Sequence, residues 1–184
     1  MQVFSVFDGL CRRLAALRRD QRGVSAVEFA MLLPLMVTLY LGAVEISQGV
    51  AINRKVTLTS RTVADLASQV SSASSSDMTN LLNASASVIS PFDASKLKVT
   101  VSQVKIDANS NATIDWSETL GGTKRAKGSS VSLPTALKVA DSYLIWSEVS
   151  YHYTPTIGYV VTGSLNLKDQ IYMRPRLSDK VTYQ

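Results

Sequence analysis

The stretch from Arg18 to Glu45, "RRDQRGVSAVEFAMLLPLMVTLYLGAVE", decides the fold. Clustered arginines give way through Gly23 to an apolar run that carries one glutamate, Glu28. Val24 to Val44 is 21 residues with a single charged side chain. At ~1.5 Å per residue that covers a hydrocarbon core of roughly 30 Å, which predicts a spanning helix. Pro34 and Gly42 fall inside it, and a bilayer tolerates both because the freed backbone groups are re-satisfied locally. A kink near Pro34 is expected.

Working outward, Arg12, Arg13, Arg18, Arg19 and Arg22 precede the span, while Arg54, Lys55 and Arg61 follow it at greater distance. That bias places the N-terminus in the cytoplasm. In the first segment Phe4, Phe7, Cys11 and Leu14 recur at helical spacing beside arginines, a pattern suited to the cytoplasmic lipid face. An ordinary secretory signal has a similar layout, but its apolar run is shorter. Here Ser47 and Gly49 offer only a weak cleavage site.

The charge total agrees with this division. The formal net charge is +5. Residues 1–23 hold +3 of it, leaving +2 over the remaining 161 residues. So nearly neutral a remainder argues against nucleic acid as a partner. Cys11 is the only cysteine, so the chain has no intramolecular disulfide. The length allows one ordinary domain beside the membrane segment.

Glu28 is the oddity. A carboxylate in a lipid-facing helix costs ~2.5–3.5 kcal/mol at mid-bilayer and less near the interface. It either snorkels and caps the positive helix terminus, or it finds a partner. A cut after Gly23 creates one: the new α-amine of Val24, within reach of Glu28 on a neighbouring copy.

"RGVSAVEFAMLLPL" resembles the class III signal of type IV prepilins, with arginines, Gly23 at the cut, Glu28 fifth and the aromatic Phe29 sixth. The continuation "GVSAVEFAMLLPLMVTLYLGAVEISQ" is similar to the TadE-like pseudopilins, minor pilins of the tight adherence (Flp/Tad) pilus system. The C-terminal "IYMRPRLSDKV", residues 171–181, is similar to the way many members end. The resemblance implies a substrate of a prepilin peptidase, cut between Gly23 and Val24, that acts in pilus assembly, surface adherence and biofilm formation. Glu28 then orients the subunit and Phe29 packs helix to helix. Val24 stands where N-methylated pilins carry phenylalanine. The implied partners are the prepilin peptidase, other pilin and pseudopilin subunits, an inner-membrane assembly platform and membrane lipid.

Beyond the span, Ile46, Val50, Val56, Leu58, Val63, Leu66 and Ala67 continue a helical pattern without proline. Val24 to Gln69 would measure about 69 Å at ~1.5 Å per residue. "SQVSSASSSDMTN", residues 68–80, reads as a loop ending in a cap at Asp77, followed by a short helix over about 78–89 that Pro91 stops. Lys98 to Ile106 alternates as a strand whose apolar phase changes between Val101 and Val104, which predicts a bulge at Ser102 or Gln103. "SYLIWSEVSYHYTP", residues 142–155, is a strand with Tyr143, Ile145, Ser147, Val149, Tyr151 and Tyr153 on one face and Leu144, Trp146, Glu148 and His152 on the other. A last strand is expected over about Ser164 to Arg174. Leu133 to Ala140 forms an extended connection or one helical turn.

Asp107, Asn109, Asn111, Asp115 and Glu118 fall at calcium-loop positions 1, 3, 5, 9 and 12. Ala112 occupies the sixth position where glycine makes the sharp turn, and a strand leads in where a helix belongs. The stronger reading is a β-hairpin, with Ala112 to Ser117 returning, and no metal or other cofactor is expected. The loop 120–130, "LGGTKRAKGSS", lacks the order of a phosphate-binding loop; it is a solvated loop or a contact for acidic headgroups. His152, the only histidine, has no partners for zinc or a nucleophilic triad, so an enzyme is not expected. Arg174 and Arg176 make a surface ion pair or a docking contact.

The expected fold is α+β: a long N-terminal helix, transmembrane in its first half, packed on an antiparallel sheet of about four strands. Residues 1–23 form a cytoplasmic basic prepilin leader, 24–44 the transmembrane and assembly helix, 45–70 its continuation, and 71–184 a periplasmic or extracellular pilin-like domain. The expected location is the bacterial inner membrane, with incorporation into a pilus. The competing reading is an uncleaved single-pass anchor carrying a periplasmic binding domain.

Overall fold

The computed structural model describes residues 22–155, 158 and 163–184. The expectations for residues 1–21 lie outside the described residues. The chain divides into two compact units between Val44 and Glu45. One helix, α1 (Arg22–Ser68, 47 residues), continues from the first into the second. Then follow β1 (Ser72–Ala73), α2 (Ser75–Ala86), β2 (Leu97–Ile106), β3 (Ala112–Leu120), β4 (Ser142–Tyr153), β5 (Leu165–Met173) and β6 (Thr182–Tyr183).

Four strands form an antiparallel sheet in the order β3-β2-β4-β5, and β1 pairs with β6 in parallel. This is the expected α+β arrangement. β2 and β4 are the central strands, each paired on both edges, and their β-branched and aromatic residues suit them to that place. On one face Val99, Val101, Ile145, Val149, Tyr151 and Tyr153 meet Ile52, Val56, Val63 and Ala67 of α1, with Met78 and Leu82 of α2. On the other, Val104, Ile106, Ile114, Leu144 and Trp146 lie under Leu133, from the connection between β3 and β4. Each large apolar side chain fully buried there contributes roughly 1.5–3 kcal/mol.

These two cores correct the expected bulge. The β2–β4 register runs without interruption from Leu97↔Tyr151 to Ile106↔Ser142. The slip lies between β2 and β3, where Gln103 faces Trp116 but Val104 faces Ile114, so the extra residue is Asp115 on β3. The phase change from Val101 to Val104 reflects a change in which face is more deeply covered, while the bulge itself sits on the neighbouring strand.

The serine-rich stretch also differs from expectation. Its loop is interrupted by β1, and α2 begins at Ser75, three residues before the predicted start. Ser74 is the cap, accepting from the Asp77 amide, while the Asp77 carboxylate accepts from the Ser74 amide. Asp77 is thus the third helical residue of a reciprocal capping box, not the cap. After Ala86 the chain tightens into a 3₁₀ turn over Ser87–Ile89.

Between β3 and β4 a 3₁₀ turn, Thr135–Leu137, follows Pro134 and realises one of the two expected forms. Gly121 opens this connection with φ +69°, where a Cβ would meet the Leu97 carbonyl oxygen at 3.0 Å. Only glycine fits that turn without strain.

Candidate functional site

The first half of α1 is apolar around its circumference and exposed. Val24, Val27, Phe29, Met31, Leu32, Leu35, Leu39 and Tyr40 all stand out, Met31 at 76%. Helical steps of about 100° carry these positions to every side of the cylinder. A helix of this kind has no polar face to present to water. It is long and apolar enough to cross a membrane, and it fits a single-pass anchor. The helix is assigned without a break through Pro34. Four residues on, the Thr38 hydroxyl donates to the Pro34 carbonyl at 2.8 Å, the back-bond usual for a helical threonine.

Gly23 and Val24 lie in the first turns of this helix, and Glu28 and Phe29 one turn further on, all exposed. Among the described residues a Cβ built on Gly23 meets nothing within 4 Å, and its φ is not in the left-handed range. Neither space nor backbone conformation asks for glycine there. In a helix interior glycine is about 1 kcal/mol worse than alanine.

A long apolar helix leading into an α+β unit fits a helix-anchored, single-pass type of protein. Over residues 23–65 the chain matches the family model described as TadE-like protein. That match, over 43 of the 184 residues, relates the chain to TadE-like proteins. Comparison with curated proteins and with solved structures gave no match.

The residues at calcium-loop spacing are not brought together as ligands. Residues 107–111 form the β2–β3 turn, with Ser110 at φ +62°. The Asp107 carboxylate accepts from the amides of Asn109 and Asn111 and from the Asn111 side chain. The Asn111 side chain, then its amide, hold the Asp107 pKa below the ordinary carboxylate range. Asp115 accepts from Gln103 at 2.8 Å, and Glu118 lies further along β3 bound to Lys124. The spacing builds a hairpin, as the stronger reading expected.

The basic loop after β3 folds back on the sheet. Arg125 binds Glu148 through two donors at 2.6 and 2.7 Å and lies 4.1 Å above the Trp146 ring, which stacks on Tyr172. The hydrogen bonds to Glu148 raise the Arg125 pKa further. Two of the loop's cations are therefore neutralised within the chain. His152 is exposed and hydrogen bonds with Asn166 at 3.0 Å. Arg176 makes the surface ion pair, 2.6 Å from Asp65 of α1, and its amide donates to the Ser68 carbonyl.

Sequence reasoning missed what the end of the chain does. Gln103, fully buried, donates to the Val181 carbonyl and accepts from the Val181 amide, and the Trp116 ring donates to the same carbonyl. Tyr183 stacks on Trp116 and its hydroxyl donates to Glu118. Burial works to raise the Glu118 pKa, but bonds from Lys124 and Tyr183 outweigh it and hold the carboxyl low. The C-terminal segment is a clasp from Arg176 to Gln184, tying the end of α1 to the sheet. A buried glutamine inside an apolar strand was the signal available for it. Glu45, only 2% exposed, was missed as well; Tyr153 donates to its backbone carbonyl.

Proposed function

We propose that this protein is a minor pilin, or pseudopilin, of a Flp/Tad-type pilus, processed by a prepilin peptidase between Gly23 and Val24. The observation that carries the reading is the family match, which begins at Gly23 and includes Glu28 and Phe29. The open space around Gly23 supports it, since a residue the fold does not need is then explained by the peptidase. Residues 1–23 are the cytoplasmic leader, 24–44 the membrane and assembly helix, 45–70 its continuation, and 71–184 the periplasmic domain.

The mechanism is mechanical. The apolar helix stores the subunit in the inner membrane, cleavage frees the Val24 amine, and pairing with Glu28 of a neighbouring subunit sets the axial position. Phe29 packs helix against helix, and the subunit leaves the bilayer for the fibre, where it serves adherence and biofilm formation. The partners are the peptidase, other pilin subunits and the assembly platform.

N-terminal sequencing of the mature protein tests this, with Val24 expected as the first residue. Replacing Gly23 with a bulky residue is expected to leave the full-length form uncut. Normal mature protein from that variant would overturn the cleavage site. Glu28→Gln is expected to be cut yet poorly incorporated, and undiminished piliation would return Glu28 to an interfacial role.

A further inference from the structure

The sheet carries a basic surface on the face opposite α1. Lys98, Ser150 and Lys168 lie directly across from one another on β2, β4 and β5, and His152 pairs with Asn166 one step further. With Lys96 they line a cavity of about 460 Å³. Lys98 and Lys168 stand two strands apart, roughly 9–10 Å by strand spacing, with only a serine between them, so this part of the face is positively charged. Ion pairs among the described residues join Lys124 to Glu118, Arg125 to Glu148 and Arg176 to Asp65, and none takes Lys96, Lys98 or Lys168. The one carboxylate on this part of the face, Glu148, is held by Arg125. Asp93, the carboxylate that acts on Lys96, caps the Ser95 amide. Residues 154–164, which join β4 to β5, contain no acidic side chain.

The position of this surface along the sheet identifies its partner. It lies at the end of β4 where the Tyr153 hydroxyl donates to the Glu45 carbonyl at 3.2 Å, and Gly49 comes within 3.5 Å of the Tyr153 ring. Glu45 directly follows Val44, the last residue of the apolar run. Within the unit that begins at Glu45 the lysines therefore lie at the sheet end nearest that residue, and on the anchor reading Glu45 directly follows the span and so lies close to the headgroup layer.

We infer that Lys96, Lys98 and Lys168 form a docking surface for anionic phospholipid headgroups, holding the domain down on the membrane before assembly. The inference rests on the anchor reading of residues 24–44. Each lysine near an anionic surface contributes on the order of fivefold to the docked-to-undocked ratio, so two contribute roughly twenty-five-fold.

The test is hydrogen exchange on the full chain in nanodiscs of phosphatidylcholine alone or with one third phosphatidylglycerol. Slower exchange over residues 94–99 and 164–169 is expected only in the anionic discs, and both Lys98→Ala/Lys168→Ala and 0.5 M salt should abolish it. Equal exchange in the two discs, or protection that survives both treatments, would overturn the docking. Inorganic phosphate reproducing the protection in neutral discs would assign the site to a soluble oxyanion and overturn the headgroup assignment. Exchange over residues 24–44 separates the two readings. A protected span with no docking signal overturns the docking alone, and an unprotected span overturns the anchor and the docking with it.

Discussion

The two halves of α1 share one backbone and solve opposite problems. Before Glu45 nearly every large side chain is apolar and exposed, with Leu39 at 65% and Phe29 at 58%. After it, Ile52, Val56, Val63, Ala64 and Ala67 are buried in the domain core, and Asn53, Arg54 and Arg61 stand on the exposed side beside Leu58. The distal half is an ordinary amphipathic helix that finds its apolar environment within its own unit. The proximal half has to find one elsewhere, in lipid or among the helices of other subunits, and this separates an anchor from a core helix of similar length.

Paired substitutions give the sharpest way to break that contrast. Ile52→Ala is expected to cost about 2–5 kcal/mol, since it empties a packed site beneath the sheet. Leu39→Ala removes a comparable side chain from the same helix and should change the stability of the domain by less than about 0.5 kcal/mol. Trp116 and Trp146 lie in the sheet and report on the distal unit, so denaturant unfolding followed by tryptophan fluorescence reads both. Similar losses from both variants would mean that the halves do not differ as described.

The reverse contrast comes from placing a charge in the proximal half. Leu35→Arg, near the middle of the apolar run, is expected to oppose insertion by about 2.5–3.5 kcal/mol. The variant should be lost from carbonate-washed membranes, yet the fluorescence midpoint of its domain should match the parent. Undiminished membrane retention would argue that the helix is not held by lipid.

This division was legible in the sequence because an anchor announces itself residue by residue. So was β4, whose alternation between two sets of side chains matches the two cores. The slip in β3 was not legible, because alternation reports which face is covered and says little about where a ladder loses register. Nor were β1 and β6, which are two residues each and pair positions 110 residues apart. Of the candidate site, Gly23, Glu28 and Phe29 were singled out by the resemblance to prepilin signals, and the fold leaves open space beside Gly23. Lys98 and Lys168 were invisible because only the register places them side by side.

The smallest expected effect concerns the clasp that holds the distal end of α1. Glu118 has a depressed folded pKa, so its contribution is present above the ordinary glutamate value of ~4.3 and is lost as pH falls through the folded value. Lys124 has a raised one through its bond to Glu118, so its contribution is complete below the ordinary lysine value and fades only as pH rises through the folded value. Burial, then the bond to Glu118, likewise pushes the Tyr183 hydroxyl up, keeping it protonated and donating past its usual range. Protection of the Val181 and Tyr183 amides should therefore be flat through neutral pH and fall in acid. Glu118→Gln should remove the acid decline while leaving the bonds between Gln103 and Val181. An acid decline that persists in that variant would overturn the assignment to Glu118. The effect is modest because Lys124 is exposed and screened. Its location is the informative part: the distal half of α1 should loosen at its C-terminal end in acid, while the proximal half, whose environment is not made of ion pairs, should not respond.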